Sequence, residues 1–424
     1  MESGGVRLSP GPRLFMMFSH MTSRMSIRLL VSSALCPLLM VWVGHCSAPG
    51  AYQRALANYK PRPLSHEVRA LWIVRDQITT RARIREIVAA MERYNFNTAV
   101  VQVRGRGDAF YRSSLAPLAE GVEPGLDPLR EFLRLARPRG IQVHAWINSF
   151  LALDEETRRW APRSHLMYTR PHWFIRDREG RSLLDYTPRE WKAANVEGAF
   201  LDPAVPEVRR LNVAIAEELV RRYEVDGIHL DYIRYPWSRA NTVYDFGRDR
   251  AVAGTGASVE DTAAVNRLRR ANITKMVAET RLALDRLAPG LILSAAVWPS
   301  DVKIREHIFQ DFPGWLRAGL LDYAFLMAYY GTIRLHDDRL SRFHEPAINH
   351  RLVIGMGVFR DPRPEVTAHQ LKSARAIGAA GVCYFRANWF YGKGARERVA
   401  RHRIPEAFAR RLRPDFRPSM IRAP

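Results

Sequence analysis

The chain has 424 residues, with 65 Lys and Arg against 43 Asp and Glu, a formal charge of +22. Hydrophobic residues make up 47% and charged residues 25%, ordinary proportions that exclude wholesale disorder. Only six of the basic residues are Lys, and no compact Lys/Arg block with interleaved aromatics occurs, which argues against a dedicated nucleic-acid module. The same charge suits the surroundings of an anionic cell envelope.

Residues 27–44, IRLLVSSALCPLLMVWVG, form an apolar run with Arg24 and Arg28 at its start. A basic lead before a hydrophobic stretch is the pattern of a secretory signal. The run also approaches spanning length, so an uncleaved membrane anchor is the alternative over residues 1–48. Cleavage after Ala48 is a candidate, against which Pro49 just past the cut counts, and Cys46 offers a lipid-attachment site, against which the bulky His45 counts. Residues 49–65 read as a linker and 412–424 as a basic tail. Cys36 and Cys46 fall in or beside the apolar run, leaving Cys383 alone in the domain. One thiol supports neither a disulfide framework nor a Cys-based zinc site. It reads as a packed core residue.

Between residues 66 and 411 short apolar strands alternate with amphipathic helices, the pattern of a parallel α/β fold. Strands are expected at 68–74, 98–104, 141–148, 227–233, 291–298, 323–329, 352–358 and 381–386. Helices are expected near 79–94, 126–138, 206–223, 266–288, 307–319, 341–350, 366–378 and 395–411. Thr79 or Thr80 suits the cap of the first helix, and Asp127-Pro128 opens the second. Eight strands and eight helices in strict order predict a closed (β/α)8 TIM barrel. No Gly-rich fingerprint follows the first strand, which disfavours a dinucleotide fold. The connections 149–205 and 237–265, after strands three and four, exceed ordinary loops. Both leave strand C-termini, where a barrel builds its cleft. The first carries Trp160, His172, Trp173 and Trp191, suited either to stacking on sugar rings or to packing an insertion core.

Strand parity separates an aliphatic face from a polar one. Gln102 and Arg104 fall inward on the second strand, His144, Trp146 and Asn148 on the third, and His229 and Asp231 on the fourth. Ser294 and Trp298 follow on the fifth, Tyr329 on the sixth, and Tyr384, Arg386 and Asn388 on the eighth. In DGIHLDYIRYP (226–236), Ile228, Leu230 and Tyr232 share one parity, and His229, Asp231 and Ile233 the other. Barrel interiors are normally filled by branched aliphatics, so polar groups near strand ends point to a site or to a satisfied internal network. A metal would need a third ligand beside His144 and His229, and no HxH or HExxH spacing supplies one; neither metal nor cofactor is expected. Asp231 leads as the reactive carboxylate, with a buried ion pair to Arg104, Arg234 or Arg386 as the competing reading. For a second carboxyl, Asp301 past the fifth strand and Asp108 after the second lead, with Asp76 and Asp202 behind them. Asp108 also fits a simple turn residue. Arg104, Asn148, Tyr232, Arg234 and Tyr329 are candidate orienting groups, with His144 and His229 beside them and Trp146 or Trp298 as a candidate aromatic floor.

The pieces EVRALW (67–72), QVRGRGDAFYRSSLAP (102–117), PGLDPL (124–129), HAWIN (144–148), RPHW (170–173), FLDPAVPEVRRL (200–211), DGIHLDYIRYP (226–236) and LMAYY (326–330) resemble glycosyl hydrolase-like family 10, bacterial envelope proteins with a TIM-barrel domain. The resemblance spans most of residues 66–390. It implies hydrolysis of a glycosidic bond in a bacterial polysaccharide, with peptidoglycan glycan strands the foremost target. It also implies kinship with alpha-amylase-like barrels, in which the Asp ending the fourth strand is the nucleophile. Asp231 takes that place, with His229 where an Arg is usual. Ser149, Val205 and Val74-Arg75-Asp76 depart from the family pattern, which bears on the sugar subsites more than on the chemistry. A non-catalytic glycan-binding barrel is the alternative.

Overall fold

The computed structural model describes residues 67–239, 241–299, 302–341, 345–360 and 362–404. The apolar run at 27–44, the linker, Asp301 and the tail lie outside them. Eight parallel strands close into a barrel: β1 (Val68–Ile73), β2 (Thr98–Arg104), β3 (Gln142–Asn148), β4 (Gly227–Asp231), β5 (Ile292–Val297), β6 (Tyr323–Leu326), β7 (Leu352–Met356) and β8 (Gly381–Phe385). Each pairs with its sequence neighbour, and β8 returns to β1 through Val68 opposite Gly381. This is the (β/α)8 barrel that the alternation predicts. Gly381 has φ +156, and a Cβ there would lie 2.0 Å from the Val68 carbonyl oxygen, so the closing seam requires glycine.

Helices α1 (Arg81–Arg93) and α2 (Pro128–Ala136) begin where their caps predict. Thr80 accepts from the Arg83 N–H and Asp127 from the Arg130 N–H. Helix α3 (Pro206–Tyr223) has Pro at its first turn and no capping side chain at Val205. The long helix α4 (Thr262–Leu287) starts four residues before its expected point, because Asp261 caps it through the Ala264 N–H. The single helix expected at 307–319 is two, Val302–Ile308 and Phe312–Arg317, since Asp311 caps a new start followed by Pro313. Likewise the stretch expected near 341–350 resolves into Ile333–Ser341 and Pro346–Asn349.

Packing sorts the strand residues into two layers. Leu71, Val101, Val103, Ile147, Ile228, Leu230, Leu293 and Ile354 join the helices in the large outer core. Ala70, Trp72, Val100, Trp146, Phe325, Val353 and Cys383 fill the barrel. On β8 the expected parity is reversed. Tyr384 points to the outer core, edge-on to Phe96 and Phe390, while Cys383 and Phe385 face inward. Alternation alone cannot say which parity is inside when both carry large apolar groups.

The 149–205 connection folds onto the mouth as an antiparallel pair, Leu151–Leu153 with Ala199–Phe200. Its own core includes Phe150, Phe174, Leu183 and Trp191. The Trp191 indole donates to the Leu183 carbonyl (3.0 Å) beneath the Arg158 guanidinium, so this Trp serves chiefly the insertion core.

Candidate active site

At the C-terminal end of the barrel a cleft of about 250 Å³ opens over the inner layer. Its floor and walls are aromatic, built from Trp72, Trp146, Tyr232, Trp298, Tyr329 and Phe385. Trp72 stands edge-on to Phe325, Tyr329, Phe385 and His229, with centroids 5.8–6.2 Å apart. Mutual edge-to-face packing of this kind holds rings in one orientation. The polar groups of the cleft are Asp231, Glu197, Arg75, Gln102, Arg106 and Arg234.

Asp231 ends β4 and is 8% exposed. Beyond it the alternation stops. Tyr232 adopts φ +47, a left-handed conformation costly for a side chain with a Cβ. That twist turns Tyr232 into the cleft wall beside Asp231 and leaves Ile233, not Tyr232, fully buried in the outer core. The Tyr232 N–H donates to Asp231 Oδ1 at 2.6 Å. Burial raises the Asp231 carboxyl from 3.8 to about 6, against the opposing pull of that N–H, of Arg234 and Arg106, and of the Trp146 indole. Burial prevails because both cations are already engaged. Arg106 pairs with Asp154 (2.8 Å) and Arg234 with Glu197 (2.5 Å). Both guanidinium groups also lie over the Tyr232 ring, at 5.5 and 5.0 Å from its centroid.

Glu197 was not singled out in the sequence. It precedes the Ala199–Phe200 strand, lines the cleft and is 35% exposed. Only the pairing of that strand with Leu151–Leu153 carries it to the mouth. Its one local signal is adjacency to the FLDP motif. Arg75 and Arg106 arrive similarly from the ends of β1 and β2, and Asp154 ties them together.

Of the other expected carboxyls, the three within the described residues lie elsewhere. Asp108 is buried behind the loop, where Oδ1 accepts the N–H groups of Gly105 (3.1 Å) and Arg106 (2.7 Å). It shapes the turn that presents Arg106 and does not line the cleft. Asp202 is likewise buried, accepts from the Ala204 N–H, and sits near Arg250. Asp76 is exposed outside the cleft, and Asp301 lies outside the described residues.

Trp146, Tyr232, Arg234, Trp298 and Tyr329 do line the cleft with Asp231. Arg104, His144, Asn148 and His229, expected at the substrate, lie behind or below it instead. His144 and His229 sit in the middle of β3 and β4, whereas Arg104 and Asn148 end β2 and β3 but are buried in contacts behind the cleft wall. Asn148 accepts from the Gln102 side chain and the Trp146 indole (both 3.1 Å) and donates to the Gly105 carbonyl (2.7 Å). It therefore positions two wall residues. Arg104 donates to the Asn148 carbonyl. The Trp72 indole donates to His229 Nε2 (3.3 Å), which leaves the ring proton on Nδ1, donated to Ser294 Oγ (2.9 Å). Burial, and then nearby His144, push His229 well below the usual imidazole range, and burial lowers His144 to about 4. Both are neutral core groups at pH 7. Among the described residues no three His, Cys, Asp or Glu side chains come together as a metal site.

The sequence signature of the family described as Glycosyl hydrolase-like 10 matches residues 67–354. The chain belongs to that family. Membership places it among glycoside hydrolase-type proteins. It is 27% identical over 323 residues to the glycosyl hydrolase DigH of Escherichia coli (strain K12), covering 68% of this chain and 69% of DigH. It is 23% identical over 299 residues to the glycosyl hydrolase YngK of Bacillus subtilis (strain 168), covering 62% of this chain and 54% of YngK. Among solved structures, alpha-L-fucosidase isoenzyme 2 from Paenibacillus thiaminolyticus superimposes with a TM-score of 0.56 at 16% identity, over 81% of this chain and 49% of that one. That likeness concerns the fold.

Proposed function

We propose that this chain is a glycosidase acting outside the cytoplasm, exported to the periplasm or cell envelope, with peptidoglycan glycan strands as its substrate. The observation that carries the reading is a buried carboxyl, Asp231, at the mouth of a barrel cleft walled by aromatic rings and shared with a second carboxyl, Glu197. Glycoside hydrolysis uses two carboxyl groups, one giving a proton to the leaving oxygen and one acting as nucleophile or base. Asp231, with its carboxyl near 6, is about nine-tenths ionised at pH 7 and takes the second role. Glu197, on the solvent side of the cleft, takes the proton-giving role, for which its pair with Arg234 must open. The C–O bond breaks, water adds across it, and each fragment leaves with a hydroxyl. Tyr232, Arg234 and Tyr329 orient the sugar, and Trp146 or Trp298 lies under it.

The test is incubation of the purified protein with isolated peptidoglycan, with and without its stem peptides, followed by mass analysis of soluble fragments. Release of glycan fragments by the native chain and not by Asp231→Asn supports the reading. Binding to the polymer without any release, by either protein, replaces it with a non-catalytic glycan-binding barrel. Locating the mature N-terminus of the protein in cells tests export.

A further inference from the structure

The reactive cleft is not the only cavity at the mouth. A larger one, about 900 Å³, opens beside it under the 149–205 insertion. The two share Glu197 and Trp298 as walls, so they meet at those side chains. Ordinary ligand sites occupy roughly 300–1,000 Å³. By that measure the 250 Å³ cleft takes about one sugar ring, while its neighbour has room for several. At the junction Trp298 stands edge-to-face with Trp237, ring centroids 5.5 Å apart. Both are half-buried, with apolar ring surface left facing the larger cavity. Glu156, Lys192 and Asn195 supply a rim of hydrogen-bonding groups. Aromatic faces within a polar rim suit a pyranose, whose C–H faces stack while its hydroxyls reach outward.

Glu197 gives the arrangement a direction. A group that protonates the leaving oxygen stands on the leaving-group side of the scissile bond, and Glu197 is the carboxyl that opens into both cavities. Resting on the function proposed above, we infer that the larger cavity binds the leaving-group portion of a glycan chain, with Trp237 and Trp298 as its sugar platform. The substrate is therefore a chain of several sugars with most of them on the leaving-group side of the cut, and one ring in the small cleft is not the whole of recognition.

The test uses peptide-free peptidoglycan glycan strands of graded length and titration calorimetry on Asp231→Asn, which binds without turnover. Affinity rises with strand length in that protein. Adding Trp237→Ala removes the rise, making long strands about tenfold weaker, and Trp237→Phe restores most of it. Melting curves establish that each variant is folded. An unchanged ratio of long-strand to short-strand affinity in Asp231→Asn/Trp237→Ala overturns the inference while leaving the glycosidase reading in place. No binding of any strand by the Asp231→Asn protein overturns that reading and the inference with it.

Discussion

Replacing Asp231 by Asn is expected to abolish turnover and also to stabilise the protein. The carboxyl stands at about 6 in the fold against an ordinary 3.8, because burial outweighs two cations that are already paired. A raised carboxyl favours the folded state while it is protonated. That advantage is complete below pH 3.8 and is lost as pH rises through about 6. At about 1.4 kcal/mol per unit, a shift of about two units means that the ionised group costs the fold about 3 kcal/mol above neutral pH. Asn carries no charge, and its Oδ1 can keep the 2.6 Å bond from the Tyr232 N–H. With about 2 cal/mol/K of unfolding entropy per residue, a barrel of this size gains about 4 °C in Tm from that change. The assay is differential scanning calorimetry of both proteins between pH 4 and 8. The gap should open as pH rises and close towards pH 4. Equal melting at pH 8, or a gap independent of pH, would show that Asp231 is not the desolvated charge described here. An Asp231→Asn protein that still cleaves glycan would remove the mechanism altogether.

Glu197→Gln should lower kcat on natural glycan by about 10²–10⁴-fold, the range of general acid catalysis, with a much smaller loss on an aryl glycoside whose leaving group needs no proton. Equal losses on both substrates would show Glu197 to be structural. In the native chain, kcat/KM should fall tenfold per pH unit below about 6, as the Asp231 carboxyl takes up its proton. An acid limb near 4 would contradict the burial argument. Arg234→Met removes the partner of Glu197 and a cation beside Asp231, so it should move that acid limb upward in pH. A pH–rate profile reads this directly. Cys383 is fully buried and its thiol is pushed well above the usual range, so it should resist thiol reagents until the barrel is unfolded. Labelling with and without denaturant checks it.

The barrel was legible in the chain because its information is local. Alternating β and α periods, the caps at Thr80 and Asp127, and the run of eight strands need only neighbours within a few residues. The same is true of Asp231, which a strand delivers to the mouth by its position alone. What alternation left open was decided by contacts between distant segments. Tyr384 faces the helices because Phe96 and Phe390 make its pocket, and Tyr232 joins the cleft because one residue's backbone turns to φ +47. His229 carries the right parity for substrate, yet Trp72 and its ring neighbours cover it, and His144, of the same parity, is buried in the middle of its strand. Glu197 reaches the site only through a two-residue strand folded back across the mouth. Period and capping act along the chain, so sequence determines the scaffold and the leading carboxylate. Depth and pairing arise between segments far apart in number, so the tertiary structure alone decides the burial of Asp231, the approach of Glu197 to the same cleft and the second cavity.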